Sequence, residues 1–106
     1  MATYHVLDAL GDPSRRQILE LLRHGPAPVG ELSARLPISR PAVSQHLRVL
    51  EECGLVAHDS VGTRNVYRVA PDGLLALRQW LDDFWGAALD SFAEYTRREP
   101  HPRRDQ

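Results

Sequence analysis

A single cysteine, Cys53, leaves this 106-residue chain without an internal disulfide and suits a reducing compartment. Lysine is missing altogether, so all 13 basic residues are arginine. No apolar run approaches the roughly 18 residues that a membrane span needs. The opening stretch, MATYHVLDALGDPSRR, has no basic segment leading into a long apolar run, so no secretory signal is expected and the cytoplasm is the expected location. There is no glycine-rich phosphate loop, no Cys/His cluster and no Ser-His-Asp arrangement that places itself. Asp82 and Asp83 are neighbours on a helical stretch and point in different directions, which suits solvation better than acid–base work. These absences argue against an enzyme and against any cofactor or metal. A net charge of −1 also removes the overall basic excess that advertises a nucleic-acid partner.

Charge position is more informative than its total. Residues 1–70 carry eight Arg against seven Asp/Glu, net +1, while 71–106 carry five against seven, net −2. Punctuation then divides the chain. Val6, Leu7 and Leu10 share one side of a first helix that stops at Gly11. Asp12 and Pro13 are an N-cap and a first helical position for a second helix that buries Ile18, Leu19, Leu21 and Leu22 and closes at Gly25. PAP is a rigid connector. VGELSARL forms a short helix with Leu32 and Leu36 inward, ending at Pro37. A fourth helix, about 39–53, opens at Ser39 with Pro41 in its first turn. LVAHDS, VGTR and NVYRV predict a β-hairpin over about 55–69. APDG offers Asp72 as another N-cap, and a long helix runs over about 73–98. The polar stretch 99–106 is expected to be a flexible tail.

The expected order is therefore α-α-α-α-β-β-α: a mainly α domain over 1–98 with a small hairpin, hence a winged helix-turn-helix. The fourth helix carries the chemistry. Val43, Leu47 and Leu50 point inward with His46 at the margin, and no acid occurs from Ser39 to Leu50. Pro41, Ser44, Gln45 and Arg48 point outward, with Arg40 and Ala42 near the N-terminal end. Gln45 can pair bidentately with adenine, Arg40 or Arg48 with guanine, and Ala42 can touch a thymine methyl. Ser39 and Ser44 suit phosphate oxygens. An acid on this face would repel a phosphate backbone, which accounts for its acid-free length.

LDALGDPSRRQILELL, VGELSARLPISRPAVSQHLRVLEECGLV and GTRNVYRV resemble the ArsR-type (ArsR/SmtB) family of small bacterial repressors, over roughly residues 4–70. The resemblance implies a homodimer in which each protomer offers one recognition helix and one wing to double-stranded DNA carrying a palindromic operator, with half-sites roughly 10 bp apart. It also admits an autorepressor. Three departures qualify it. Where many members place a C-x-C metal pair, this chain has Pro28 and Gly30. Where others use Asp and His on the last helix, this helix has Asp82, Asp83, Asp90 and Glu94, with no histidine before His101. The wing carries Asp59, Ser60 and Val61 in place of basic residues, which leaves Thr63 and Arg64 as its DNA candidates and predicts a weak wing. Metal sensing through the usual motifs is not expected.

The last helix shows a broad apolar stripe. Leu74, Leu77, Leu81, Phe84, Trp85, Ala88, Phe92 and Tyr95 align, and Trp80 and Leu89 widen the stripe. That exceeds what one small domain can bury, so Leu7, Leu77, Leu81, Phe84, Trp85, Ala88, Leu89 and Phe92 are expected at a twofold interface. Gly86 with Ala87 and Ala88 permits close helix approach. Trp80, Phe84 and Trp85 admit a second reading as a pocket for an apolar small-molecule effector, which nothing else in the sequence supports, and aromatic stripes more often pack on protein. Cys53 admits a sensor and an inert packed thiol; flanking Glu51 and Glu52 favour the second. Arg15 and Arg16 admit DNA-backbone contacts or structural salt bridges. Two function classes follow: a sequence-specific DNA-binding repressor, or a winged-helix module that binds protein. The polar, acid-free face of the fourth helix favours the repressor, since protein-binding faces usually expose an apolar anchor.

Overall fold

The computed structural model describes residues 2–98; the expected tail at 99–106, with His101, lies outside the described residues. Helices α1 (Ala2–Leu10) and α2 (Pro13–Leu22) are followed by a two-residue strand β1 (Ala27–Pro28). Helix α3 (Val29–Ala34) and helix α4 (Arg40–Glu52) lead into strands β2 (Val56–Val61) and β3 (Arg64–Val69), and helix α5 (Pro71–Arg98) ends the fold. This is a winged helix-turn-helix.

The caps follow from local chemistry. Asp12 Oδ1 accepts the N–H groups of Ser14 and Arg15 at 2.8 and 3.2 Å, with Pro13 behind it at the first helical position, as expected. At the far end of α4, Gly54 takes φ +77°. The Gly54 N–H donates to the Glu51 carbonyl at 3.0 Å and the Leu55 N–H to the Leu50 carbonyl at 2.9 Å, the paired bonds of a Schellman stop. The chain is thereby turned from the recognition helix straight into β2.

The core is a single cluster. Val6, Ile18, Val43, Leu47, Leu50 and Leu55 are fully excluded from solvent and Leu32 nearly so, so the inward face read from the α4 spacing is the buried one. Ala9 is buried in place of Leu7, which stays 37% exposed. Leu19, Leu21 and Leu36 pack at the margin of the cluster.

Three boundaries differ from expectation. The PAP connector contributes β1, whose Ala27 and Pro28 pair with Tyr67 and Val66, so the hairpin becomes a three-stranded antiparallel sheet of order β1-β3-β2. Element order is accordingly α-α-β-α-α-β-β-α. Helix α3 stops at Ala34, short of Leu36. Asp72 does not cap α5 but lies inside its first turn, because Pro71 already begins the helix. The cause is a tertiary contact: Ala70 N–H donates to the Leu55 carbonyl at 2.9 Å and Gly73 N–H to the Gly54 carbonyl at 2.8 Å, tying the start of α5 to the end of α4.

Helix α5 packs on α1 and sets its Leu77 against the core. Its 28 residues span about 42 Å, and the molecule measures 66 × 28 × 21 Å. A radius of gyration of 19.8 Å well exceeds the roughly 13 Å of a compact chain this size. No helix among the described residues is long and apolar enough to cross a membrane.

Candidate nucleic-acid interface

Ser39 starts the candidate face. Its backbone is extended (φ −73°, ψ 158°), and its Oγ accepts the Ala42 N–H at 3.2 Å, capping α4 while its own hydroxyl proton remains available to an outside acceptor. Ser39, Arg40, Pro41, Ser44, Gln45 and Arg48 are exposed, and Ala42 and His46 are half-buried. His46 turns Nδ1 inward, where it has no hydrogen-bond partner among the described residues. The carboxyl of Asp12 at the α2 cap is held below the usual carboxylate range chiefly by the Arg15 backbone N–H, with the Ser14 N–H adding to this and burial opposing it.

The wing closes through a two-residue turn with Gly62 at φ +66°, in the first turn position, where tight hairpins tolerate glycine best. Thr63 and Arg64 stand exposed at its apex. The structure brings these two residues and Arg40 onto one cleft of about 490 Å³, completed by Pro28, Gly30 and Glu31 among others. Sequence spacing did not reveal that juxtaposition. A Cβ on Gly30 would lie 3.5 Å from Arg40 Nη1, so the bare backbone of α3 is the surface over which the Arg40 guanidinium lies.

The arginines sort into two groups. Arg68 pairs with Asp59 at 3.0 Å, Arg23 with Glu20 at 3.2 Å, and Arg97 with Glu94 at 2.7 Å. Arg40, Arg48 and Arg64 have no carboxylate within salt-bridge distance among the described residues, a property shared by Arg35 and Arg78 and by Arg15 and Arg16, which hold backbone carbonyls instead. Arg68 neutralises Asp59, the acid that weakened the wing as a DNA surface.

Arg15 and Arg16 form no salt bridge among the described residues. Arg15 Nε donates to the Ala9 carbonyl at 2.8 Å and Arg16 Nη1 to the Leu10 carbonyl at 2.7 Å. Both satisfy carbonyls at the C-terminal end of α1, where a cation also complements the helix dipole. Cys53 is half-buried with Sγ 3.4 Å from the His5 carbonyl. Burial pushes its thiol up, Glu52 and Asp8 add to that, and Arg15 opposes it. Glu51, credited with the same effect from sequence, is engaged elsewhere.

The apolar face of α5 is open. Phe84 is 51%, Trp85 56%, Leu89 61% and Phe92 65% exposed, with Leu81 at 38%, while Ala88 is half-buried. Leu77, assigned to the interface, packs at least partly on the protomer's own core. Trp80 stacks on Phe84 at 5.4 Å and Phe84 meets Trp85 edge-on at 5.6 Å, so the three rings lie on one another along the helix. Among the described residues, no three His, Cys, Asp or Glu side chains gather as a metal site would require.

Residues 12–58 match the family model described as bacterial regulatory protein, arsR family. The chain is 53% identical over 98 residues to the HTH-type transcriptional regulator Rv2034 of Mycobacterium tuberculosis, covering 89% of this chain and 92% of that protein. It is 30% identical over 80 residues to the transcriptional repressor SdpR of Bacillus subtilis, covering 76% and 89%. It also resembles the solution structure of the homodimeric winged helix-turn-helix DNA-binding domain of Mb0332 from Mycobacterium bovis, described as a possible ArsR-family regulator. That match has a TM-score of 0.65 and 28% identity, and covers 96% of this chain and 88% of that one. Those relatives are regulators of transcription and not enzymes. A helix-turn-helix whose second helix carries no acid before Glu51, a wing beside it and a long open last helix thus coincide with a family match and a relative covering nearly the whole chain: the protein belongs to the arsR family of bacterial regulatory proteins.

Proposed function

We propose that the protein is a cytoplasmic homodimeric repressor that binds a palindromic operator. The observation that carries this reading is the sorting of arginines. Among the described residues Arg40, Arg48 and Arg64 lack carboxylate partners, and they lie on, or next to, the exposed face that α4 keeps free of acids up to Leu50, whereas Arg68 has already neutralised the wing's own acid. Phosphates would complete the ion pairs that the protein leaves unmade.

In this reading α4 enters the major groove. Gln45 and Arg48, with Arg40 and Ala42 at the helix start, face base edges, and Ser39, Ser44 and the wing residues Thr63 and Arg64 hold the backbone; Pro41 shapes the first turn and His46 sits at the rim. A second copy covers Leu81, Phe84, Trp85, Ala88, Leu89 and Phe92, together with Leu7, and sets the half-site spacing. The same cover would leave Trp80, Phe84 and Trp85 in a dimer core, not an effector pocket.

Selection from a random duplex library tests the reading. A dimer of this kind enriches a palindrome with half-sites roughly 10 bp apart. Gln45→Ala then lowers the ratio of operator to scrambled binding by about 1–3 kcal/mol, whereas Arg64→Ala weakens both alike and reduces the salt slope by about one. A library from which nothing is enriched refutes the repressor and leaves the protein-binding module.

A further inference from the structure

The wing has little to hold it. In β2 only Val56 is buried, and every residue from His58 to Asn65 is exposed, so the distal hairpin projects without a core beneath it. One side-chain contact joins it to the recognition helix. The His58 Nδ1 lies 2.9 Å from Glu51 Oε2 and 3.1 Å from Glu51 Oε1, and among the described residues it is the one side-chain hydrogen bond between α4 and the hairpin. The partner side chains are 34% and 37% exposed. From behind, Tyr67 of β3 packs on the His58 ring at 5.1 Å. Burial, and the nearby Glu51 carboxylate, push the Tyr67 phenol up, while Arg48 opposes this. Tyr67 is itself registered against both His58 and Ala27, so it transmits the position of the middle strand to the ring. Glu51 of α4 thus meets His58 of the sheet, with Tyr67 packed behind the ring.

We propose that Glu51 and His58, backed by Tyr67, form a strut that sets the angle between wing and recognition helix, making both positioning residues for DNA binding. The inference rests on the repressor reading above. Geometry explains why one exposed contact suffices. Three strand residues separate His58 from the apex, about 10 Å. A tilt of about 20° about His58 would carry Arg64 by about 3–4 Å, further than a hydrogen bond to phosphate can stretch. Neither residue needs to touch DNA.

The test uses the full-length protein with Glu51→Ala, His58→Ala, the double variant and Glu51→Gln. Exposed pairs of this kind are worth a few-fold in an equilibrium constant, so each alanine variant is expected to lower affinity for the selected operator about threefold to fivefold. The double variant should be no worse than either single. Glu51→Gln, which keeps an oxygen for the ring N–H, should recover to within about twofold. The discriminating readout is coupling: Arg64→Ala should cost less in the Glu51→Ala background, because the arginine is then no longer held in place. Amide protection of residues 56–69 in the free protein should fall in both alanine variants. Additive losses from Arg64→Ala and Glu51→Ala, or unchanged wing protection, overturn the strut. If wing protection falls as expected while the wild-type protein enriches no sequence, the strut holds and the repressor reading fails.

Discussion

Gly73 makes a prediction whose sign runs against helix propensity. It is the one fully buried residue of α5, and it lies against the backbone that ends α4. A Cβ built there would stand 2.6 Å from the Cys53 carbonyl oxygen and 2.9 Å from the Gly54 carbonyl carbon and oxygen. Those neighbours are backbone atoms held by the Schellman stop, so no flexible side chain can swing away. Gly73→Ala would gain about 1 kcal/mol of helix propensity. Against this, α5 must shift, which weakens the 2.8 Å bond from Gly73 N–H to the Gly54 carbonyl, worth about 1 kcal/mol. Overpacking costs about 1–3 kcal/mol more, so the net expectation is a loss of about 1–3 kcal/mol. For a domain this size the melting temperature should fall by about 4–8 °C per kcal/mol, measured at fixed protomer concentration because dimerisation adds a concentration-dependent term. Gly86→Ala is the control, made in a monomeric background because Gly86 lies on the helix assigned to the dimer: a Cβ there meets nothing within 4 Å in the protomer, so it should stabilise by up to about 1 kcal/mol. A Gly73→Ala protein that melts at or above the wild type would refute the claim that α5 is docked backbone to backbone.

Arg15→Ala should remove the donor to the Ala9 carbonyl and cost about 1 kcal/mol in urea denaturation, with operator affinity unchanged; an affinity loss equal to that of Arg64→Ala would return Arg15 to the DNA face. Asp12 has a depressed carboxyl, so its ionised form contributes stability that is fully present above a free aspartate's value of about 3.9 and is lost as pH falls through its lower folded value. The stability gap between wild type and Asp12→Ala should accordingly hold from pH 7 to 5 and close below about pH 3.9; a gap that widens on acidification would reverse the sign. Trp85→Ser combined with Phe92→Ser should give monomers by analytical ultracentrifugation, and dimers that persist would move the interface off α5.

The parts legible in the sequence were those that local chemistry decides. Ser39 and Pro41 mark the start of α4, Gly54 its stop, and the spacing of Val43, Leu47 and Leu50 its buried side. Asp12 and Pro13 do the same for α2. The misses arose where distant segments decide. Asp72 offered the cap for α5, and that signal lost to Pro71, where the helix begins so that Gly73 reaches Gly54. Ala27 and Pro28 carry no strand pattern; they join the sheet because β3 presents Val66 and Tyr67 as partners. Arg15 and Arg16 looked misplaced in the first turn of α2, since the carbonyls they satisfy belong to the preceding helix. The wing–helix strut was equally hidden: His58 and Glu51 lie seven positions apart across a turn, a separation that no helical or strand period makes adjacent.

The same distribution explains how a chain of net charge −1 can be read as a DNA-binding protein. Interactions in water fade over about 10 Å at ordinary ionic strength, so a phosphate responds to the charges within that distance and not to the sum over the chain. Asp82, Asp83, Asp90 and Glu94 sit along α5, away from the α4 face. Asp83 already accepts the Gln79 amide at 3.0 Å, and Glu94 holds Arg97 at 2.7 Å. Asp59, the acid on the wing, is matched by Arg68, and Glu51 is hydrogen-bonded to His58 Nδ1 at 2.9 Å. Among the described residues, Arg40, Arg48 and Arg64 remain unmatched beside the first three turns of α4 and the wing apex, with Glu52 unpaired at the far end of α4 and Glu31 as the acid in the cleft that Arg40 and Arg64 share. Glu31→Gln should therefore raise affinity for operator and random duplex by a similar factor, and most at low salt. An effect confined to the operator would instead place Glu31 against a base edge, and the field argument would fail.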